Sequence, residues 1–357
     1  MKETIDLGSP RTADVRPVSP PWQHPGFKGQ NGSANAVQSG RRAPDFPATC
    51  GFSGAGFPGW QAPQEERKTF RRAGVEIVYR VRRTQAASPE APVVFLHGLA
   101  SNMTRWTELV RETRLGTRHD LIRVDLRGHG ESMTRSRYDL AIWIDDLAHL
   151  LDEECARGAC LVGHSLGATL ALGFALRRPD RVAALVLIDP VFRDAVAPDK
   201  ARWVRNAALF GWGAGVIRAL NRIGLHRRTL VPLDLEQLDR QARIALADPG
   251  QLEAFVRRYS SAREDLRHIP LANYLQDLVE LLRPLPPLHP VRAPVLALRS
   301  TIAGFQDEAG VRRRLEEMDD CHVAPIHCHH WPVTERPLEV RRLIEDWIDQ
   351  RVGRPRP

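Results

Sequence analysis

The stretch ACLVGHSLGATLALGFALRRP, residues 159–179, constrains the fold more than any other part of the chain. A short apolar run, suited to a strand buried on both faces, ends on Gly163-His164-Ser165-Leu166-Gly167, and an alanine-rich helical pattern begins at once. A G-x-S-x-G turn between strand and helix is tight enough to strain its backbone, and the glycines two before and two after Ser165 leave room for neighbouring chain. Such a turn lifts the serine hydroxyl to the end of a sheet, at a helix N-terminus whose dipole favours developing negative charge. Ser165 is therefore a candidate nucleophile.

The surrounding sequence supplies the sheet. Strand patterns recur at VEIVYRV, APVVFLHG, DLIRVDLRG, ACLVGHS, VAALVLIDP, APVLALRS and HVAPIHC. Helical patterns such as YDLAIWIDDLAHLLDEE, GATLALGFALRR and RPLEVRRLIEDWIDQR lie between them. Alternation of this kind predicts an α/β fold with a mainly parallel sheet. Residues 191–290 break the rhythm, because they carry helical patterns only, and they read as a helical lid over one end of the sheet. Core sequence is expected on either side, at 66–190 and 291–352. Residues 1–65 are rich in Gly, Pro and Ser without helical or strand period, and are expected to be a disordered tail.

Bulk properties narrow the function classes. Hydrophobic residues at 43% and charged residues at 26% are ordinary for a globular protein. The net charge of +8 rests almost wholly on arginine, with lysine only at Lys2, Lys28, Lys68 and Lys200. Those arginines are scattered among Asp and Glu, which argues against a nucleic-acid-binding stripe. Five cysteines (Cys50, Cys155, Cys160, Cys321, Cys328) without a C-x-x-C point to free thiols in a reducing, cytoplasmic setting. No apolar run approaches the length of a membrane span.

Three further stretches accompany the Ser165 turn: VVFLHGLASN at 93–102, VDLRGHGES at 124–132 and HCHHWPVTERP at 327–337. Together they resemble the α/β-hydrolase family over residues 68–352, in the family's order. The resemblance implies an α/β-hydrolase fold, a mostly parallel central sheet flanked by helices, with an all-helical cap inserted after the strand that follows the nucleophile helix. It places Ser165 as nucleophile and His330 as base, with the backbone N–H groups of Leu99 and Leu166 as oxyanion donors. His97 and His129 would shape loops, and Asp125 would be a turn residue. The expected activity is serine hydrolysis of a carboxylic ester, lactone or thioester of small to medium apolar character, without cofactor or metal. An acyltransferase, a carbon–carbon bond hydrolase or a non-catalytic ligand-binding member of the fold remain open. Oligomeric state is not legible.

The acid is the unresolved part of that assignment. Where the family usually carries a carboxylate, in the loop after APVLALRS, this chain has Ala303. Asp189, at the end of VAALVLIDP, is the preferred candidate, and Asp307, which reads as a helix cap, is the alternative. His329 stands where the family has glycine. Cys321, His322, His327, Cys328, His329 and His330 look like metal ligands, but a strand sends alternate side chains to opposite faces, so no metal is assigned. In the helical segment Trp203, Phe210 and Trp212, with Tyr259 and Tyr274, are candidates to line an acyl or alcohol pocket.

Overall fold

A computed structural model describes residues 64–352, apart from 88, 247, 248 and 303. Eight strands form one sheet: β1 (Glu66–Arg72), β2 (Val75–Arg82), β3 (Glu90–Leu96), β4 (His119–Val124), β5 (Ala159–His164), β6 (Val182–Ile188), β7 (Val295–Ser300) and β8 (Cys321–Ile326). Their order across the sheet is β1-β2-β4-β3-β5-β6-β7-β8. The first two pairings are antiparallel and every later one is parallel. Helices α1 (Thr107–Glu112), α2 (Leu140–Glu153) and α3 (Leu166–Arg177) alternate with the early strands. Between β6 and β7 lie α4 (Ala201–Arg205), α5 (Ala207–Arg222), α6 (Leu235–Leu246), α7 (Leu252–Tyr259), α8 (Ala262–Asp265) and α9 (Leu271–Leu281). Helices α10 (Glu308–Leu315), α11 (Pro332–Glu335) and α12 (Pro337–Arg351) complete the chain.

Period-two alternation builds a core on each face of the sheet. In β5, Ala159 and Leu161 join α2, α3 and α10 on one side, while Cys160 and Val162 join α1 and α12 on the other. Such continuous apolar strands are what a sheet covered on both faces requires. The one unforeseen strand is β1, ERKTFRR, in which only Phe70 is buried. As an edge strand paired on one side it needs little apolar content, so hydrophobic periodicity could not reveal it.

Cys155, Cys160, Cys321 and Cys328 are free thiols. Among the described residues no helix is long and apolar enough to cross a membrane. The expected tail, residues 1–65, lies almost wholly outside the described residues, as do Cys50 and Ala303.

Candidate active site

The chain order brings β5 and β6 together at the centre of the sheet, and both end in residues with backbone conformations foreign to L-amino acids. Ser165 follows β5 at φ 52°, ψ −110°, and Asp189 follows β6 at φ 46°. Ser165 donates its own N–H to the carbonyl of Ile188 (2.9 Å), which locks the elbow to the end of β6. The glycines of the motif are required sterically. A Cβ on Gly163 would lie 2.4 Å from the Gly167 carbonyl oxygen, and one on Gly167 would lie 2.2 Å from that of Leu96. Left-handed non-glycine residues of this kind cost roughly 1–3 kcal/mol each and cluster at functional sites.

His330, from the loop after β8, reaches the elbow. Its Nε2 is 3.1 Å from Ser165 Oγ, and its Nδ1 is 3.3 Å from Asp189 Oδ2. The three side chains thus form a continuous relay, although they come from positions 165, 189 and 330. Asp189 is buried, which by itself pushes its pKa up. The hydrogen bond and charge of His330, the Ser300 hydroxyl and the Arg299 guanidinium outweigh burial and hold it at about 2. Ser300 donates its N–H to Asp189 Oδ1 (2.9 Å), and its hydroxyl contacts Oδ2. Arg299 Nη1 stands 3.4 Å from Oδ1.

Asp307 lies elsewhere. It caps α10, accepting the Gly310 N–H at 2.7 Å, and among the described residues it has no contact with His330. His329 compensates for the missing glycine. It is absent from the left-handed residues, and its N–H and ring both reach the Glu335 carboxylate, at 3.0 Å each. The neighbouring histidines diverge: His327 Nδ1 meets Thr301 Oγ1 at 3.1 Å, while His329 and His330 point to Glu335 and Ser165.

Two backbone N–H groups border the serine. Those of Leu99 and Leu166 find no acceptor among the described residues. Gly98 lets the Leu99 loop close on the elbow, since a Cβ there would sit 3.2 Å from His164 Nδ1 and 3.5 Å from Ser165 Cβ. His97 staples the same loop: its ring meets the Gly98 carbonyl at 2.9 Å and accepts the Leu126 N–H at 3.1 Å. Asp125 accepts the N–H groups of Met103 and Glu131, both at 2.7 Å, and so organises the turn that carries His129.

Sequence reasoning missed three supports. His164 is held neutral, with burial first and then the nearby His330 and Arg105 pushing its pKa down to about 3. Its Nε2–H donates to the His330 carbonyl at 3.0 Å, fixing the histidine loop. Ser300 and Arg299 are the others. A signal existed for Arg299, an arginine inside an otherwise apolar strand, because a buried cation demands an anion nearby. The β6–β7 register pairs Ile188 with Leu298, so the next residues, Asp189 and Arg299, meet.

A cavity of about 1500 Å³ opens over the relay, lined by Leu99, Ser165, His330, Trp203, Tyr259 and Tyr274 among others. Trp203 therefore stands where a pocket residue was expected. Phe210 does not line the cavity; it packs on Trp203 with ring centroids 5.8 Å apart. Trp212 is a clear correction. It is 72% exposed on the far side of α5, because the helix turns its glycine and alanine face, not its tryptophan, toward α9.

Comparison with known proteins identifies the fold and the family. Lipase LipV of Mycobacterium tuberculosis is 28% identical over 276 residues, 75% of this chain and 97% of its own length. Ethanol acetyltransferase 1 of Kluyveromyces marxianus is 31% identical over 102 residues, 29% of this chain and 28% of its own. The chain spans only about a third of the length of two further curated relatives. A thermophilic esterase from Thermogutta terrifontis superposes with a TM-score of 0.56 at 21% identity, over 80% of this chain and 98% of its own, which shows a shared fold. The model of the alpha/beta hydrolase family matches residues 93–343, from within β3 to within α12, and the chain belongs to that family.

Proposed function

We propose that the protein is a serine hydrolase that cleaves a carboxylic ester, or a lactone or thioester, through an acyl-enzyme on Ser165. The observation that carries this reading is the Ser165–His330–Asp189 relay, with contacts of 3.1 Å and 3.3 Å on a strained elbow. Ser165 Oγ attacks the carbonyl carbon while its proton passes to His330 Nε2. The developing oxyanion is received by the N–H groups of Leu99 and Leu166, each such donor being worth about 3–4 kcal/mol of barrier. The bond to the leaving group then breaks, and the proton on His330 goes to the departing atom. Water enters, loses a proton to His330 and releases the acid, restoring the Ser165 hydroxyl. Asp189, ionised throughout, braces the imidazolium.

Helices within residues 191–290 serve in this reading as a cap that keeps water from the site. The cavity of about 1500 Å³ exceeds the roughly 300–1,000 Å³ of ordinary ligand sites, which favours medium over very small substrates. Acyl transfer to an alcohol is the second reading, favoured by the likeness to an ethanol acetyltransferase, and it needs only an alcohol in place of water at the second step. A fluorophosphonate probe should label Ser165 within minutes, and labelling should vanish in Ser165→Ala. Absence of labelling in the wild-type protein would remove the serine from the chemistry. Product analysis with an added alcohol, on chromogenic esters of graded chain length, separates transfer from hydrolysis.

A further inference from the structure

Exposed apolar residues are concentrated in one part of this molecule. Of the twelve large hydrophobic residues exposed among the described residues, ten lie between Leu209 and Leu271. Five of them form a stripe along α5 and its C-terminal cap: Leu209, Trp212, Val216, Leu220 and the cap residue Ile223, with Trp212 at 72% and Ile223 at 73% exposure. At 100° per residue these positions fall within about 80° of arc, a single helix face. Leu225, just beyond, is exposed as well. Scattered exposed leucines need no explanation, but a continuous stripe marks a contact surface.

A neighbouring face of α5 is already occupied. Ala214 is buried there, and a Cβ on Gly213 would meet Leu275 at 3.4 Å, so small residues let α9 pack closely. Tyr274 and Leu278 of α9 in turn line the cavity above Ser165. The stripe therefore looks away from the site, one helix removed from it.

Charge identifies the partner. Arginines elsewhere are interleaved with acids, yet residues 201–233 contain six arginines and no Asp or Glu. Arg202, Arg205, Arg222, Arg227 and Arg228 are exposed, and none of these five forms an ion pair among the described residues. An apolar stripe bearing a tryptophan, in a segment whose five exposed arginines form no ion pair and which holds no acid, is complementary to an anionic bilayer surface: the rings and leucines enter the acyl boundary while the guanidinium groups meet lipid phosphates. Five exposed like charges would oppose a second copy of the same face across a two-fold axis. We propose that the outer face of α5 docks this protein on anionic phospholipid membranes, lying in the interface without crossing it.

Flotation of the full-length protein with vesicles tests this. Vesicles of phosphatidylcholine containing about 30% phosphatidylglycerol should carry at least about tenfold more protein than pure phosphatidylcholine, and about 0.5 M salt should weaken the binding. Leu209→Ser/Trp212→Ser/Ile223→Ser should abolish it, and Arg222→Glu/Arg227→Glu/Arg228→Glu should reduce it about tenfold, both with melting temperatures near wild type because the sites are exposed. Ser165→Ala should bind like wild type, so membrane docking and serine chemistry can fail separately. Equal binding to both vesicles, no binding to either, or undiminished binding by the apolar triple variant would overturn the proposal. So would a wild-type dimer in light scattering that the triple variant dissolves while vesicles bind neither form.

Discussion

Asp189 shows how a single side chain can be placed by several neighbours at once. Its own backbone N–H donates to Leu298 (2.9 Å), its carboxylate receives Ser300 and Arg299 from the adjacent strand, and what remains faces His330. Asp189→Asn should therefore keep the fold while lowering ester turnover by about 10⁴, through loss of the correct imidazole tautomer; turnover within about tenfold of wild type would exclude Asp189 from the mechanism. The same carboxylate gives a pH signature. Its folded pKa of about 2 lies below the unfolded value of about 3.9, so its stabilisation is complete above the latter and fades as pH falls toward 2. The difference in unfolding free energy between wild type and Asp189→Asn should be flat from neutrality down to about pH 5 and shrink below it.

Elements differ in how much room their glycines leave. At the start of α3, Gly167 is wedged against the chain of β3, and its Cβ would stand 2.2 Å from backbone that cannot retreat. Gly167→Ala should cost several kcal/mol, about the scale of severe core overpacking, and should abolish fluorophosphonate labelling. In α5, by contrast, Gly215 has nothing within 4 Å of a built Cβ and an ordinary helical φ. Gly215→Ala should stabilise the protein by about 0.5–1 kcal/mol, since alanine gives up less chain entropy on entering a helix. Urea denaturation of the two variants checks both signs. The GxSxG motif was legible because its glycines answer a local steric demand, visible as spacing. The place of Trp212 was not legible for the opposite reason: apolar residues at helical spacing look alike whether they face a pocket, a core or water.

Across the whole molecule, the helices between β6 and β7 are tied to the turn after β4 by a buried polar cluster. His129 Nε2 lies 3.0 Å from Asp277 Oδ2, Tyr138 donates its hydroxyl to Asp277 Oδ1 at 2.8 Å, and Asn273 donates to the Gly128 carbonyl at 3.0 Å. Burial opposes a charge on His129, but Asp277 overrides it and raises the imidazole pKa. A raised folded pKa means that this tie is fully present below the unfolded value near 6.5 and is lost as pH climbs through the folded one. Asp277→Asn should therefore cost about 3–5 kcal/mol at neutral pH and flatten the alkaline decline in stability expected of the wild type; an unchanged decline would assign it to another group.

Local pattern sufficed for the parallel strands, the elbow and the helical stretch after β6, because each is written in residues near one another along the chain, whereas the roles proposed for Ser165 and His330 come from resemblance to a family. The acid could be narrowed only to two aspartates, the supports His164 and Ser300 carried no signal, and Arg299 left only the hint of a charge inside an apolar strand. Their roles depend on which strand ends lie side by side and on the left-handed turn at Asp189, and that adjacency arises only when β6 and β7 pair across an intervening helical stretch of about a hundred residues.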